Sequence, residues 1–222
     1  MAVHHLGLVA AQPDAAHGEA RESVGLRDTR LLQQGECGSA GAQEHEARGD
    51  GAPASSLIDL QTGARVLYAV GGKPETPVMV ATTGGYGFIT KLAEMVSNRK
   101  AGREFMAVAE GETPIAPVVY DEAKAAFVGA LSEEGRLLVF EMSEMRFLAR
   151  GRGVILMGLE EKEKLVAVGV LPGKSAKVLG VRRGREAEVE LAGARLENYV
   201  GKRARMGRVL PDKLKPTGFV QS

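Results

Sequence analysis

The sequence has no tryptophan and a single cysteine, Cys37, which excludes a disulfide framework and a cysteine-rich zinc fold. Aromatic residues make up only 5% of its 222 positions. No apolar run approaches the roughly 18 residues that a membrane-spanning helix needs. The stretch Met1–Ala11 has no lysine or arginine, which makes it a poor signal peptide. Net charge is nearly lacking too: 29 basic against 28 acidic residues leave +1, which speaks against a nucleic-acid partner if the charge is evenly spread. These absences point to a soluble cytoplasmic chain of one large or two small domains, long enough to bury its own core.

The charge is not evenly spread. Residues 1–47 hold all four histidines (His4, His5, His17 and His45) and Cys37, but none of the phenylalanines or tyrosines; the first aromatic is Tyr68. With 3 basic and 7 acidic residues this segment carries −4, so residues 48–222 carry +5, and the stretch Arg150–Lys215 alone carries +8. A segment so poor in large apolar groups buries too little surface to offset its ordering entropy. Residues 1–47 are therefore expected to be disordered, or locally helical around Glu22–Gln34, and their composition suits an out-of-frame or misassigned start.

The rest of the chain repeats. Glycine recurs beside basic residues in Arg48-Gly49-Asp50-Gly51, Arg99-Lys100-Ala101-Gly102, Arg150-Gly151-Arg152-Gly153 and Arg203-Ala204-Arg205-Met206-Gly207, and the last glycines lie 51, 51 and 54 residues apart. A second series, Gly85, Gly135 and Gly184, keeps nearly the same period. A period near 50 marks a repeat architecture such as propeller blades. Each repeat reads as about four short strands separated by turn chemistry such as Gly71-Gly72, Gly84-Gly85, Pro172-Gly173 and Arg183-Gly184. The expected strands are Ser56–Leu60, Val66–Val70, Val78–Thr82 and Tyr86–Lys91; then Phe105–Val108, Pro117–Tyr120, Ala125–Leu131 and Arg136–Glu141; then Val154–Leu159, Leu165–Leu171, Ala176–Arg182 and Glu186–Leu191. Glu186–Leu191 alternates strictly, as a half-buried strand does. After each fourth strand a short helical turn leads to the next basic loop, as in Lys91–Ser97 and Ser143–Ala149. The fold class is all-β: about three four-stranded blades over 48–210 with the start of a fourth, and a tail at 211–222.

Several of these runs resemble a known family: Val80-Ala-Thr-Thr-Gly-Gly-Tyr-Gly-Phe-Ile, Asn98-Arg-Lys-Ala-Gly-Arg, Gly135-Arg-Leu-Leu-Val-Phe, Arg150-Gly-Arg-Gly and Gly201-Lys-Arg-Ala-Arg-Met-Gly-Arg. Over about Arg48–Val209 the chain resembles the C-terminal DNA-binding region of the A subunit of bacterial topoisomerase IV, which is related to the gyrase A subunit. The resemblance implies a β-pinwheel, a disc of blades whose basic rim binds and bends duplex DNA and positions it for strand passage by a catalytic core. It implies duplex DNA and the core subunits as partners, a nucleoid-associated location and no membrane. It implies no cofactor in this chain; ATP and magnesium would act through other regions or subunits. The glutamine-led basic box of the gyrase A subunit has no counterpart at Ala149–Gly153 or Lys202–Arg208, which favours the topoisomerase IV branch. The family's nucleophilic-tyrosine core is not matched, since Tyr68, Tyr86, Tyr120 and Tyr199 all lie in the repeats. The chain is thus expected to be a truncated, non-catalytic module.

The candidate DNA contacts are Arg99, Lys100, Arg103, Arg150, Arg152, Lys174, Lys177, Arg182, Arg183, Arg185, Lys202, Arg203, Arg205 and Arg208. Lysine and arginine neutralise phosphates and release counterions, and glycine lets the backbone approach a strand. Any one basic turn is ordinarily just solvated; recurrence at one phase is what makes a charge track along one rim. Residues 48–222 contain no histidine and no cysteine, so imidazole bases, thiol nucleophiles and histidine–cysteine zinc sites are excluded there. Glu141, Glu144, Glu160, Glu161 and Glu163 read as solvated carboxylates. The competing readings are a structural or protein-binding β-propeller-like domain and a decayed gene fragment.

Overall fold

A computed structural model describes residues 5–11, 22–25, 65–97 and 102–220. Its architecture follows from two hydrophobic runs. Val78-Met79-Val80-Ala81 and Leu137-Leu138-Val139-Phe140 are apolar at every position, where a strand with one wet face would alternate. Both runs are buried on both faces. Val78 and Val80 enter a core with Phe88, Phe105 and Val108, while Met79 and Ala81 enter a second core with Val128 and Phe140. Leu138 also faces that second core, whereas Leu137 and Val139 face a third with Leu171, Val178 and Leu196. Successive sheets therefore pack face to face, with one core between each pair.

The four sheets are antiparallel, and their strands are numbered here in chain order. The first is built on the hairpin β1 (His5–Ala11) and β2 (Glu22–Gly25), flanked by β3 (Arg65–Gly72) and β6 (Glu104–Val108). The second is built on β4 (Pro77–Ala81) and β5 (Tyr86–Lys91), flanked by β7 (Val118–Val119) and β10 (Val154–Ile155). The third is built on β8 (Phe127–Ser132) and β9 (Arg136–Glu141), flanked by β11 (Leu165–Leu171) and β14 (Arg208–Val209). The fourth has three strands, β12 (Ser175–Arg182) between β13 (Arg185–Ala192) and β15 (Lys215–Phe219). The strand positions expected from sequence between Val66 and Leu191 are matched within a few residues; Ser56–Leu60 lies outside the described residues. The grouping differs. A sheet is not one repeat: each hairpin borrows its flanking strands from later repeats, so Val78 pairs with Val119 and Gly87 with Val154. The same offset recurs in Val128 with Val170 and Leu137 with Arg208.

Two segments depart from expectation. Within 1–47 the structure places β1 and β2, where a disordered or locally helical segment is expected. Their pairing partners are remote: Leu8 lies opposite Ala69 and Val24 opposite Met106. A strand held by a ladder to other segments does not need the apolar content that a self-sufficient segment would. Likewise Lys215–Phe219, within the expected tail, pairs with β12. A Cβ added to Gly129 or Gly169 would lie 2.7 Å from the Phe219 ring, so those two glycines make the seat for it.

The strict alternation of Glu186–Leu191 belongs to the end of the stack. Leu191 is buried, while Glu186, Glu188 and Glu190 are exposed. No described strand pairs with the outer edge of β13, and a row of glutamates is a known guard against edge-to-edge association.

Tyr120 follows β7 on the seam between the second and third sheets. Burial pushes its phenol well above the ordinary value of 10.0, and the Glu122 carboxylate pushes the same way. The unfolded chain ionises this phenol near that ordinary value while the fold keeps it protonated, so the fold loses stability as pH rises above about 10. Spectrophotometric titration is expected to show a component ionising above the ordinary tyrosine range, and Tyr120→Phe to remove it. A variant curve that retains this component would place it elsewhere.

Candidate nucleic-acid interface

Two of the loops rich in glycine and basic residues are fully described, Arg150–Gly153 and Lys202–Gly207. The chain reaches each from a short helical turn, Met142–Glu144 for the first and Ala194–Glu197 for the second. Each turn carries the chain back to the preceding hairpin. The Arg146 carbonyl accepts from Ile89 N–H at 2.9 Å, and Leu148 N–H donates to the Ile89 carbonyl at 2.9 Å. In the next repeat the Tyr199 carbonyl accepts from Val139 N–H at 2.9 Å, and Gly201 N–H donates to the Val139 carbonyl at 2.8 Å. After this parallel bridge the loop reverses direction and the chain pairs antiparallel with the same strand, Val154 on Gly87 and Arg208 on Leu137.

Midway, each loop bonds to the sheet before. Gly151 N–H donates to the Phe105 carbonyl at 2.9 Å, and its carbonyl accepts from Ala107 N–H at 3.1 Å. The Arg205 carbonyl accepts from Gly158 N–H, and Ala204 N–H donates to the Leu156 carbonyl, both at 3.0 Å. The loops are therefore seams between neighbouring sheets. Their backbone is committed to the fold, while the side chains of Arg150, Lys202 and Arg205 face solvent. Gly153 is required here: its φ is +85° and a Cβ on it would overlap the Gly87 carbonyl. At Gly207 a Cβ would lie 2.7 Å from the Leu137 carbonyl.

The expected contact residues fall into distinct groups. Arg103, Arg150, Arg183, Arg185, Lys202, Arg205 and Arg208 are exposed and form no ion pair with a described residue. Four others are held by carboxylates: Lys174 by Glu197 at 2.9 Å, Lys177 by Glu188 at 3.6 Å, Arg182 by Asp212 at 2.9 Å and Arg152 by Glu112 at 2.7 Å. Arg152 also lies 3.8 Å over the Tyr86 ring, and Glu112 in turn accepts from the Thr82 hydroxyl at 2.9 Å. Arg203 turns inward; its guanidinium donates to the Ile155 carbonyl at 2.5 Å and its backbone N–H to the Glu144 carboxylate at 3.0 Å. Arg99 and Lys100 lie outside the described residues.

Equal phase does not bring all of these to one rim feature. Arg150, Lys202, Arg205 and Arg208 sit on the two seams, and Arg103 leads into the β6 strand on which the first seam rests. Lys174 and Lys177 sit at the start of β12, and Arg182, Arg183 and Arg185 flank the β12–β13 turn. Sequence reasoning missed Arg146 and Phe147, both exposed on the approach to the first seam; Phe147 is 54% exposed. Phe147 and Val200 bridge to the equivalent strands β5 and β9.

The family model of the DNA gyrase C-terminal domain, described as a beta-propeller, matches residues 76–113 and 130–172. These two stretches of the chain are similar to repeats of that family. The chain is 38% identical over 171 residues to the A subunit of DNA topoisomerase 4 from Neisseria gonorrhoeae and 29% identical over 171 residues to that from Pseudomonas aeruginosa. Each alignment covers 74% of this chain and 22% of the relative, so the chain spans about a fifth of the length of these curated relatives. In fold it matches the E. coli ParC C-terminal domain with a TM-score of 0.73 at 21% identity, covering 96% of this chain and 79% of that one. It also matches the C-terminal domain of DNA topoisomerase IV with a TM-score of 0.66 at 17% identity, covering 99% of this chain and 64% of that one. The repeat body is thus a β-pinwheel of the gyrase C-terminal type, and the seams described above are features of its blade-to-blade packing. Among the described residues no helix is long and apolar enough to cross a membrane.

Proposed function

We propose that this chain is a non-catalytic module that binds and bends duplex DNA and positions it for strand passage by the core of a type IIA topoisomerase. One observation carries this reading: the two described seams present exposed cations that pair with no described carboxylate, Arg150 on one and Lys202, Arg205 and Arg208 on the other, at equivalent places in successive repeats. Its similarity to relatives named for topoisomerase 4 supports it. Cations on a relief set by backbone bonds suit phosphate contact, which positions a protein without reading sequence. At the first seam the Tyr86 face is covered by Arg152 and is closed to unstacked bases. The partners proposed are duplex DNA and the topoisomerase core subunits, and the location is the nucleoid.

Duplex affinity is expected to fall steeply with salt. With four phosphate contacts the slope is about −0.9 per contact, so binding weakens about a hundredfold between roughly 50 and 200 mM salt. Fluorescence anisotropy with a labelled duplex measures this, and a flat salt profile favours the structural or protein-binding reading instead.

Glu112 withholds a cation from such an interface. Its carboxylate neutralises Arg152, which Tyr86 holds in place from the other side. Glu112→Gln is therefore expected to raise duplex affinity severalfold at low salt and to steepen the salt slope by about 0.9. An affinity at or below that of the unmodified chain would show that Arg152 has no access to phosphate.

A further inference from the structure

Among the described residues, the turn of the fourth hairpin lacks the cover that the turns of the second and third have. In the second and third sheets, later chain closes over the turn. The Gly85 carbonyl accepts from Leu156 N–H and the Gly135 carbonyl from Leu210 N–H, both at 2.7 Å. A Cβ on Gly85 would lie 3.1 Å from the Met157 carbonyl, and one on Gly135 2.8 Å from the Leu214 carbonyl. The arginine beside each turn is also neutralised, Arg152 by Glu112, and Arg136 by Glu160 at 2.6 Å and Glu163 at 3.8 Å.

At the fourth turn no described residue lies within 4 Å of a Cβ on Gly184. The residues around it are Arg182, Arg183 and Arg185, and Lys213 joins them from the neighbouring turn Pro211–Lys213. With Asp212 and Glu186 they line an open concavity of about 1100 Å³. Four cations face two carboxylates there. Asp212 engages Arg182 at 2.9 Å, while Arg183, Arg185 and Lys213 make no ion pair with a described residue. Both turns contain left-handed residues other than glycine: Arg183 (φ 51°), Asp212 (φ 57°) and Lys213 (φ 52°). Such conformations cost energy and persist where the surroundings impose them.

We propose that this concavity is a discrete phosphate-group site, with Arg183, Arg185 and Lys213 on the phosphate oxygens and Arg182 held at its rim by Asp212. The planar fork of arginine matches phosphate geometry, and like charges left unneutralised around one hollow are relieved by an anion. The site is separate from the seams, because it is built on the β12–β13 turn and the Pro211–Lys213 turn rather than on Arg150–Gly153 or Lys202–Gly207. The assignment of the phosphate to a DNA backbone, rather than to a free phosphate, rests on the duplex-binding reading above.

The test has two arms on the full chain. In the first, inorganic phosphate is titrated and amide shifts are followed by NMR. Saturable shifts confined to 182–186 and 211–213, lost in Arg183→Glu/Arg185→Glu and in the milder Arg185→Ala/Lys213→Ala, support the site. Shifts spread over all basic loops, or none at these turns, overturn it. In the second arm duplex affinity of Arg183→Glu/Arg185→Glu is compared with Lys162→Glu/Lys164→Glu, which carries the same charge change away from the concavity. A loss at least tenfold greater for the first pair assigns the phosphate to DNA. Equal losses overturn that assignment while the first arm decides the site itself, and an unmodified chain that binds no duplex sinks the DNA reading without touching the phosphate titration. Thermal melts of every variant exclude loss of fold as the cause.

Discussion

Gly153→Val is expected to lower stability by on the order of 3 kcal/mol, one of the largest effects of any single change in the seams. Two costs add. The residue has φ +85°, where a β-branched side chain is strained, and its Cβ would overlap the Gly87 carbonyl. The Gly87 carbonyl cannot retreat cheaply, because β5 is sandwiched between β4 and β10. For a chain of this size the melting temperature falls by roughly 6–12 °C. Gly173→Ala is the matched control, since nothing lies within 4 Å of a Cβ there and its φ is not in the left-handed region; it is expected to change stability by less than about 0.5 kcal/mol. Calorimetry showing Gly153→Val melting with the unmodified chain would mean that the first seam is not packed as described.

Neutralising the free seam cations together is expected to weaken duplex binding on the order of a thousandfold at 0.1 M salt. The set is Arg150→Gln, Lys202→Gln, Arg205→Gln and Arg208→Gln, and each loss flattens the salt slope by about 0.9. The comparison set is Arg152→Gln, Lys174→Gln, Lys177→Gln and Arg182→Gln, whose charges already face Glu112, Glu197, Glu188 and Asp212. Net charge changes equally in the two sets, so the slope is the discriminating readout. It should flatten in the first and hardly move in the second. Equal flattening would show that these ion pairs open on binding and do not decide which cations meet phosphate.

The repeat was legible because its marks are backbone requirements. A glycine needed for left-handed turns, as at Gly85, Gly135 and Gly184, recurs at a fixed interval whatever the rest of the strand does. The strands between Val66 and Leu191 followed from turn chemistry for the same reason. The strands His5–Ala11, Glu22–Gly25 and Lys215–Phe219 were not legible, because each is held by a ladder to a remote segment. The candidate interface was legible as a list of cations and illegible as a surface. Arg152 and Arg205 look alike in sequence, yet a carboxylate 40 residues before Arg152 neutralises it and no described carboxylate meets Arg205.

The near-zero net charge and scarce aromatics were thus set by composition, and their uneven distribution already separated an acidic start from a basic body. Sequence alone also determined the all-β class, the period and the absence of imidazole and thiol chemistry after residue 47, since each depends on residue identity or on local backbone geometry. Only the tertiary structure decided which strands share a sheet and, among the described residues, which cations are paired with carboxylates and which hairpin turns are covered. Those outcomes depend on contacts between residues far apart in the chain, such as Gly151 with Phe105 or Arg182 with Asp212, and no local pattern encodes which partner arrives.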